Sequence, residues 1–350
     1  MPLSLGLGNK INKYAIQPTA CESTYVAASQ SVYLDGNTDY LMCIDDADFT
    51  NTTGTGAGAD KPFSFAMWVK ANGTSNQNYG LVEKGSATPN EHEYRIFILS
   101  GKIYFDLYTD ITTTYIRVNT KVAHTYKNTW NHYVFTFNGD TTSNDITSDA
   151  GETIQRKGLS IYVNGQAQDI SSGTGGSYDG MKDEASNVYF GHLISTPNYD
   201  LNGFMTDIMY WQHYMLNYRE VNDIYADGVY SFNPTTKACD YSGRAYLKLW
   251  LKCDADYTIT AAQSSTTFVD SAEEPATPAG GSVTVIDEEH GSYSSCPSSL
   301  EHTCYRVVDP NGVAAVTGIQ DETGAGNHGQ YGGGANITTG SGNVPTATSI

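Results

Sequence analysis

Basic residues are scarce in this chain. Its 350 residues carry 19 Lys plus Arg against 38 Asp plus Glu, a formal net charge of −19. No lysine or arginine cluster occurs anywhere along it. Nucleic acids and anionic membrane surfaces are bound by neutralising phosphates with such clusters, so neither partner is expected. Residues of either charge make up only 16% of the chain, so solubility rests on hydroxyl, amide and acidic groups. None of the six cysteines stands in a CxxC pair, which removes the usual zinc cluster. No apolar run approaches the length of a membrane span. Residues 1–10 lack a basic start followed by a continuous apolar stretch, so synthesis in a cytoplasm is expected. The G-x-S-x-G elbow of serine hydrolases is absent. The glycine-rich run Gly54–Gly58 does not stand between a strand and a helix, so it reads as a loop and not a phosphate cradle.

What the chain does have is strand pattern and turn residues. Aromatics make up 12%, with 26 Tyr against 4 Trp, and there are 35 Gly. Residues 130–137, Trp-Asn-His-Tyr-Val-Phe-Thr-Phe, alternate with a period of two. Trp130, His132, Val134 and Thr136 fall on one face; Asn131, Tyr133, Phe135 and Phe137 fall on the other. Both faces are largely apolar, so this strand is expected inside a two-layer sandwich. Similar runs occupy 63–70, 94–99, 102–108, 159–163 and 201–211. Ser100-Gly101 and Asn164-Gly165 have the composition of two-residue hairpin turns. One helix is expected, capped by Asn217 with Glu220 three residues later, carrying Val221, Ile224 and Tyr225 on one face and stopping at Gly228.

The order Phe63-Ser-Phe-Ala-Met-Trp-Val-Lys70, Trp130–Phe137, Leu159–Gly165 and Leu201–Trp211 resembles the laminin-G-like, concanavalin A-like lectin/glucanase superfamily over residues 31–230. The resemblance implies an all-β, antiparallel jelly-roll sandwich, with Trp68, Phe135 and Ile161 clamped between its layers. Two later segments resemble elements that normally precede that sandwich. One is Leu247-Lys-Leu-Trp-Leu-Lys252; the other is Asp321-Glu-Thr-Gly-Ala-Gly-Asn-His-Gly329, which departs from the usual segment by Thr323 in place of Ser. The expected organisation is an extended arm over 1–30, the sandwich over 31–230, and a small β-rich assembly region with a Gly/Thr-rich tail over 231–350.

Glycosidases of this superfamily carry paired carboxylates in a Glu-x-Asp-x-x-Glu pattern, and no such pattern occurs. The nearest run, Asp287-Glu288-Glu289-His290, lies outside the sandwich and reads as a solvated acidic turn. His132 is expected as a hydrogen-bonded core or rim residue, and His328 as exposed. Cys43 is expected as a buried thiol, with Cys239–Cys253 and Cys296–Cys304 left open as disulfide pairs. Calcium is the cofactor that the resemblance implies, with Asp35 and Asp207 as candidate ligands. For carbohydrate, which needs aromatic platforms with amide or carboxylate partners, the candidates are Asn198, Tyr199 and Asp200 in one loop and Tyr178 and Asp179 in another.

These features give a non-enzymatic virion surface protein as the expected function: a bacteriophage fibre, tail or capsid-decoration subunit. Its partners would be itself, as a homo-oligomer such as a trimer, other virion proteins, and host glycan. The alternatives are a secreted bacterial carbohydrate-binding or adhesion module, placed extracellularly, and a glycoside hydrolase.

Overall fold

In the computed structural model, the described residues run from 30 to 339 with interruptions. The residues outside the description are 1–29, 55–58, 74–77, 87–91, 111–113, 125–126, 197, 227–233, 236–240, 254–256, 260–262, 269–281, 288–290, 294–303, 310–315, 320, 324, 326, 333–335 and 340–350.

The chain enters through β1 (Gln30–Asp35) and β2 (Tyr40–Cys43). The long strands β3 (Phe63–Ala71), β4 (Tyr79–Gly85), β5 (His92–Leu99), β6 (Lys102–Asp110), β7 (Thr114–Thr120) and β8 (Asn131–Phe137) follow. β5 and β6 form the expected hairpin, with both turn residues in the left-handed region (Ser100 φ 51°, Gly101 φ 79°). A small side hairpin, β9 (Ile146–Thr147) with β10 (Thr153–Gln155), interrupts the acidic loop after β8. Next come β11 (Leu159–Val163) and β12 (Gln166–Ala167), joined by Asn164-Gly165 at φ 49° and 74°. β13 (Ile170–Gly175), β14 (Val188–Phe190) and the eleven-residue β15 (Asn202–Gln212) complete the first two-thirds.

Helix α1 (Tyr218–Ala226) forms where the capping signals placed it. Asn217 Oδ1 accepts from the Arg219 and Glu220 amides, while Glu220 Oε2 accepts from the Asn217 amide (2.9 Å). Gly228 lies outside the described residues.

After α1 come β16 (Leu247–Leu251), β17 (Tyr257–Ile259), β18 (Gln263–Phe268), β19 (Ser282–Asp287) and β20 (Gly291–Tyr293). The last are β21 (Cys304–Asp309), β22 (Val316–Ile319), β23 (Gly329–Gly332) and β24 (Asn336–Thr339).

Two antiparallel sheets make the sandwich. One has the order β12-β11-β8-β3-β15-β1-β24, with β16 also on β15; the other runs β13-β7-β6-β5-β4-β14-β2-β23-β22-β17. Strands β18, β21, β19 and β20 form a separate four-stranded sheet. Phe63, Phe65, Tyr133, Phe135, Phe137 and Ile161 from the first sheet meet Tyr94, Ile96, Phe105, Leu107 and Phe190 from the second in one interior cluster. Burying this much apolar surface is the main favourable term in the fold.

The two apolar faces of β8 have separate coverings. Tyr133, Phe135 and Phe137 face the second sheet, while His132 and Val134 face away from it and lie under α1 and the 241–250 segment. Trp68 follows the latter face. It is buried with Trp130, Phe204 and Tyr225 on the outside of the first sheet, not clamped between the layers with Phe135 and Ile161 as expected. The reason is register: Trp68 pairs with His132, and that side of the sheet is roofed by the helix. His132 packs tilted against Trp68 and stacks on Tyr225, and neither ring nitrogen has a hydrogen-bond partner among the described residues. The expected hydrogen-bonded role is therefore corrected: it packs as a neutral aromatic ring, its pKa lowered to about 3 by burial.

The late segments stitch into both sheets. β16 pairs with β15, β23 with β2, and β24 with β1. Asp321 is fully buried at the centre of this seam. It accepts from the Trp250 amide (2.9 Å), the Thr323 amide (3.1 Å) and hydroxyl (2.7 Å), and the Asn327 amide (3.2 Å). Asn327 donates to the Lys248 carbonyl, and the Asp321 amide donates to His328 Nδ1 (2.9 Å). His328 is thus buried, not exposed as the glycine-rich context suggested, because its ring nitrogen is the acceptor that closes the turn. Thr323 takes the place of Ser without loss of the hydroxyl bond. Gly329 is closely packed, since a Cβ there would stand 2.8 Å from Leu251 Cδ1.

Cys43 is a buried thiol donating to the Asn327 carbonyl, as expected. Cys253 is buried with its thiol directed at the Leu251 carbonyl. Cys239 and Cys296 lie outside the described residues, as do 288–290 of the acidic run.

Candidate functional site

The chemistry of the molecule concentrates on the outer face of the ten-stranded sheet. Because Ile96, Ile98, Ile103, Phe105, Leu107, Ile116 and Val118 point inward, the alternate residues of β5, β6 and β7 point outward. Strand register then sets Glu83, Arg95, Asp106 and Arg117 side by side, one on each of β4, β5, β6 and β7. The result is a row of alternating charge. Beyond Glu83 it continues into Tyr189 on β14 and Met42 on β2; beyond Arg117 it ends at Gly173 on β13.

The row is tightly bonded. Arg117 holds Asp106 through Nε and Nη2, both at 2.6 Å. Tyr108 donates to Asp106 Oδ2 (2.7 Å), and Arg95 approaches the same oxygen at 3.4 Å and donates to the Tyr108 hydroxyl at 2.5 Å. Burial, followed by the Asp106 charge, raises the Tyr108 phenol above its usual range, so it stays protonated and remains a donor. Glu83, also fully buried, accepts from the Ser195 hydroxyl (2.5 Å) and amide (3.2 Å) and lies 3.1 Å from His92 Nδ1. Thr196 accepts from Arg95 (3.3 Å). Ser195 and Thr196 are thereby fixed across the face.

Aromatic rings sheathe the row. Phe97 and Tyr104 stack with centroids 4.9 Å apart, and Tyr199 meets Phe97 edge-on at 5.9 Å. The Arg117 guanidinium lies 5.0 Å from the Tyr115 ring, 5.3 Å from Tyr104 and 5.7 Å from Phe97. Its Nη1 has no hydrogen-bond partner among the described residues, its side chain is 25% exposed, and beside it a Cβ at Gly173 would meet nothing within 4 Å.

The sequence candidates divide between this face and other places. Asn198 is exposed in the left-handed region (φ 68°), Tyr199 is half-buried over Phe97, and Asp200 is bonded to His192, which stacks on Tyr40. These three border the outer face. Tyr178 does not: its ring packs on the interior cluster and its hydroxyl donates to Asp60 (2.7 Å), while Asp179 is exposed beside it. Asp35 caps a tight turn through the Asn37 amide. Asp207 is buried at a bulge in β15 (φ 46°), where it accepts from the Trp250 indole. Asp35 lies opposite Asn202, five residues along β15 from Asp207. At about 3.3 Å per residue the two candidate calcium ligands are roughly 16 Å apart and are not brought together.

Sequence reasoning passed over Glu83, Arg95, Asp106 and Arg117. The available signal was an arginine or carboxylate at an outward strand position between aromatic neighbours, as in Tyr104-Phe-Asp-Leu-Tyr108.

The chain is similar to several solved structures. The chain is similar to a candidate carbohydrate-binding protein from Bacteroides ovatus ATCC 8483, at 13% identity and TM-score 0.45. The match covers 90% of this chain and 60% of that one, so the chain spans less than two-thirds of its length. It is similar to a heptameric SAP-like pentraxin from Limulus polyphemus, at 11% identity and TM-score 0.38, over 57% and 84% of the two chains. It is also similar to the CBM40 of a Ruminococcus gnavus IT-sialidase bound to α2,3-sialyllactose, at 12% identity and TM-score 0.35, over 53% and 97%. No curated protein sequence matches it. The sandwich of antiparallel sheets is accompanied by a direct sequence match over residues 35–222, more than half of the chain, to one family profile. The chain belongs to the concanavalin A-like lectin/glucanase superfamily.

Proposed function

We propose that the protein is a non-enzymatic glycan-binding sandwich, with its binding surface on the outer face of the ten-stranded sheet. The observation that carries this reading is Arg117. Its guanidinium is held among Tyr104, Tyr115 and Phe97, with one nitrogen unpartnered among the described residues, and its strand neighbour Gly173 leaves open space. Sugar rings are recognised by aromatic faces for their C–H surfaces and by planar donors for their oxygens. Tyr199 and Asn198 add a second rim to the same surface.

Catalysis is disfavoured by the bonding of the carboxylates. Hydrolysis needs one carboxyl to carry a proton to the leaving oxygen. Asp106 is locked in a bidentate ion pair with Arg117, and Glu83 accepts from the Ser195 hydroxyl and amide. The setting we propose is a virion surface, as a bacteriophage fibre, tail or capsid-decoration subunit that assembles with itself and with other virion proteins. The acidic, lysine-poor composition and the Gly/Thr-rich carboxyl end support it.

Glycan-array binding with wild type, Tyr104→Ala and Gly173→Trp tests the reading. Gly173 has open surroundings and no left-handed backbone, so the tryptophan leaves the fold intact and covers the Arg117 edge. Wild type is expected to bind, and both variants to bind at least tenfold more weakly, with no reducing ends released by any of them. A glycan bound equally by all three, or by none, overturns the site. Mass spectrometry of purified virus particles tests the setting.

A further inference from the structure

A group that the glycan face does not use sits at the edge of the interior cluster. Lys84 is the penultimate residue of β4, Asp45 lies two residues beyond β2, and Glu93 is the second residue of β5. The β4–β5 register shifts between Lys84 and Gly85, so Glu93 falls in a bulge, and its side chain turns to Lys84 instead of lying in the outer row. The side chains of Lys84 and Glu93 are both wholly buried, while that of Asp45 is 29% exposed. Lys84 Nζ contacts Asp45 Oδ1 at 2.9 Å, pairs closely with Glu93 Oε1, and donates to the Glu184 carbonyl at 2.7 Å. The Glu184 amide donates back to Glu93 Oε1 (3.0 Å). Glu93 Oε2 is buried without a hydrogen bond, an unusual state for a carboxylate oxygen, and buried Asp45 Oδ1 has only its ion pair with Lys84.

Burying a charge without full compensation is costly. Glu93 is lifted to about 8, first by burial and then by the Asp183 and Asp45 carboxylates, against the opposing pull of Lys84. A proton passing from the ammonium to Glu93 leaves an uncharged amine in contact with a second carboxyl group. That is the arrangement from which an amide forms, and the fixed contact replaces the encounter that would limit the reaction in water.

We propose that Lys84 and Asp45 condense to an intramolecular isopeptide bond, with Glu93 relaying the proton. The Nζ lone pair adds to Asp45 Cγ and a C–N bond forms. Glu93 takes two protons from the nitrogen in turn, one from the ammonium before it attacks and one from the adduct, and delivers both to the departing carboxyl oxygen. One C–O bond breaks and one water leaves through the exposed side of Asp45. No oxidant, reductant or cofactor enters the balance. The bond straps β4 to the exit of β2 across β14, which pairs with both at Val188. It locks a seam of the second sheet that hydrogen bonds alone would otherwise hold. The inference stands whether or not the outer face binds glycan.

Intact mass spectrometry of the purified full-length chain, followed by peptide mapping, tests it. The wild-type chain is expected one water lighter than its sequence and to yield a branched peptide joining Lys84 to Asp45. Lys84→Arg, Asp45→Ala and Glu93→Gln are each expected to restore the full mass. Glu93→Gln is the decisive variant, because it keeps both joined residues and removes only the proton relay. A wild-type chain of full sequence mass with no branched peptide shows a plain buried ion pair and overturns the proposal. So does a mass deficit that persists in Lys84→Arg. The wild-type measurement decides even where a variant fails to fold.

Discussion

Arg117 closes on Asp106 with two parallel hydrogen bonds of 2.6 Å, although the carboxylate is fully buried on the outside of a sheet. The two residues face each other in register on adjacent strands, so the planar fork meets the carboxylate directly. Removing one partner of such a pair leaves a buried charge with less compensation. Arg117→Ala is expected to cost about 3 kcal/mol, the low end for breaking a buried pair, since Arg95 and Tyr108 still reach Asp106. Arg117→Lys keeps the charge but not the fork and should fall between the two. Urea unfolding, read as a lower midpoint at unchanged slope, measures both.

His132 gives a signed pH dependence. Its folded pKa is lowered to about 3 from an ordinary 6.5 because the ring is buried, stacked and without hydrogen-bond partners. A base whose folded pKa is depressed adds stability that is complete above the unfolded value and is lost as pH falls from about 6.5 toward about 3. At pH 5 the loss is about 2 kcal/mol, from roughly 1.5 pH units at 1.36 kcal/mol each. His132→Phe removes both the titration and the two unpartnered nitrogens. Its stability advantage over wild type is expected to widen by about that amount between pH 7 and pH 5 in denaturant titrations.

Local signals carried the fold. The helix was legible because Asn217 and Glu220 satisfy one another's backbone whatever surrounds them. The β5–β6 turn was legible because Ser100-Gly101 tolerates positive φ. The side on which an apolar strand face is covered was not legible. Trp68 and Phe135 both read as core, yet one lies under α1 and the other under the second sheet. That choice depends on a helix more than a hundred residues away. The outer-face row was hidden for the same reason, since Glu83, Arg95, Asp106 and Arg117 are spaced 12, 11 and 11 residues apart and meet only through strand register. His328 misled because a glycine-rich context is read as exposed, while here it marks backbone packed too tightly for side chains.

Gly203 is one such position. It stands between β1 and β3, opposite Leu34 and Ala71, and a Cβ there would lie 2.2 Å from the Lys70 carbonyl oxygen. The obstructing atom is backbone inside a sheet, so it cannot swing aside. Gly203→Ala is expected to cost about 3 kcal/mol, at the upper end for overpacking, and calorimetry would register a Tm fall of several degrees. The same change at Gly173, where the surroundings are open, should leave Tm within a degree or so.

The seam around Asp321 predicts how the late segments depend on the rest. Leu249 and Leu251 are wholly buried in the interior cluster, and β23 and β24 cover the flanks of β2 and β1. A chain ending after residue 240 loses those side chains and leaves three strands with unpaired edges, which invites association. It is expected to unfold without a cooperative transition and to bind a hydrophobic dye, where the full chain does neither. Covalent order matters less than placement, because the contacts of Asp321 with Trp250 and Asn327 lie entirely within the late segments. A permuted chain that places residues 245–339 ahead of residue 30 through a flexible linker is therefore expected to recover a cooperative transition. Cooperative folding of the truncated chain alone would show that the late strands decorate the sandwich and do not complete it.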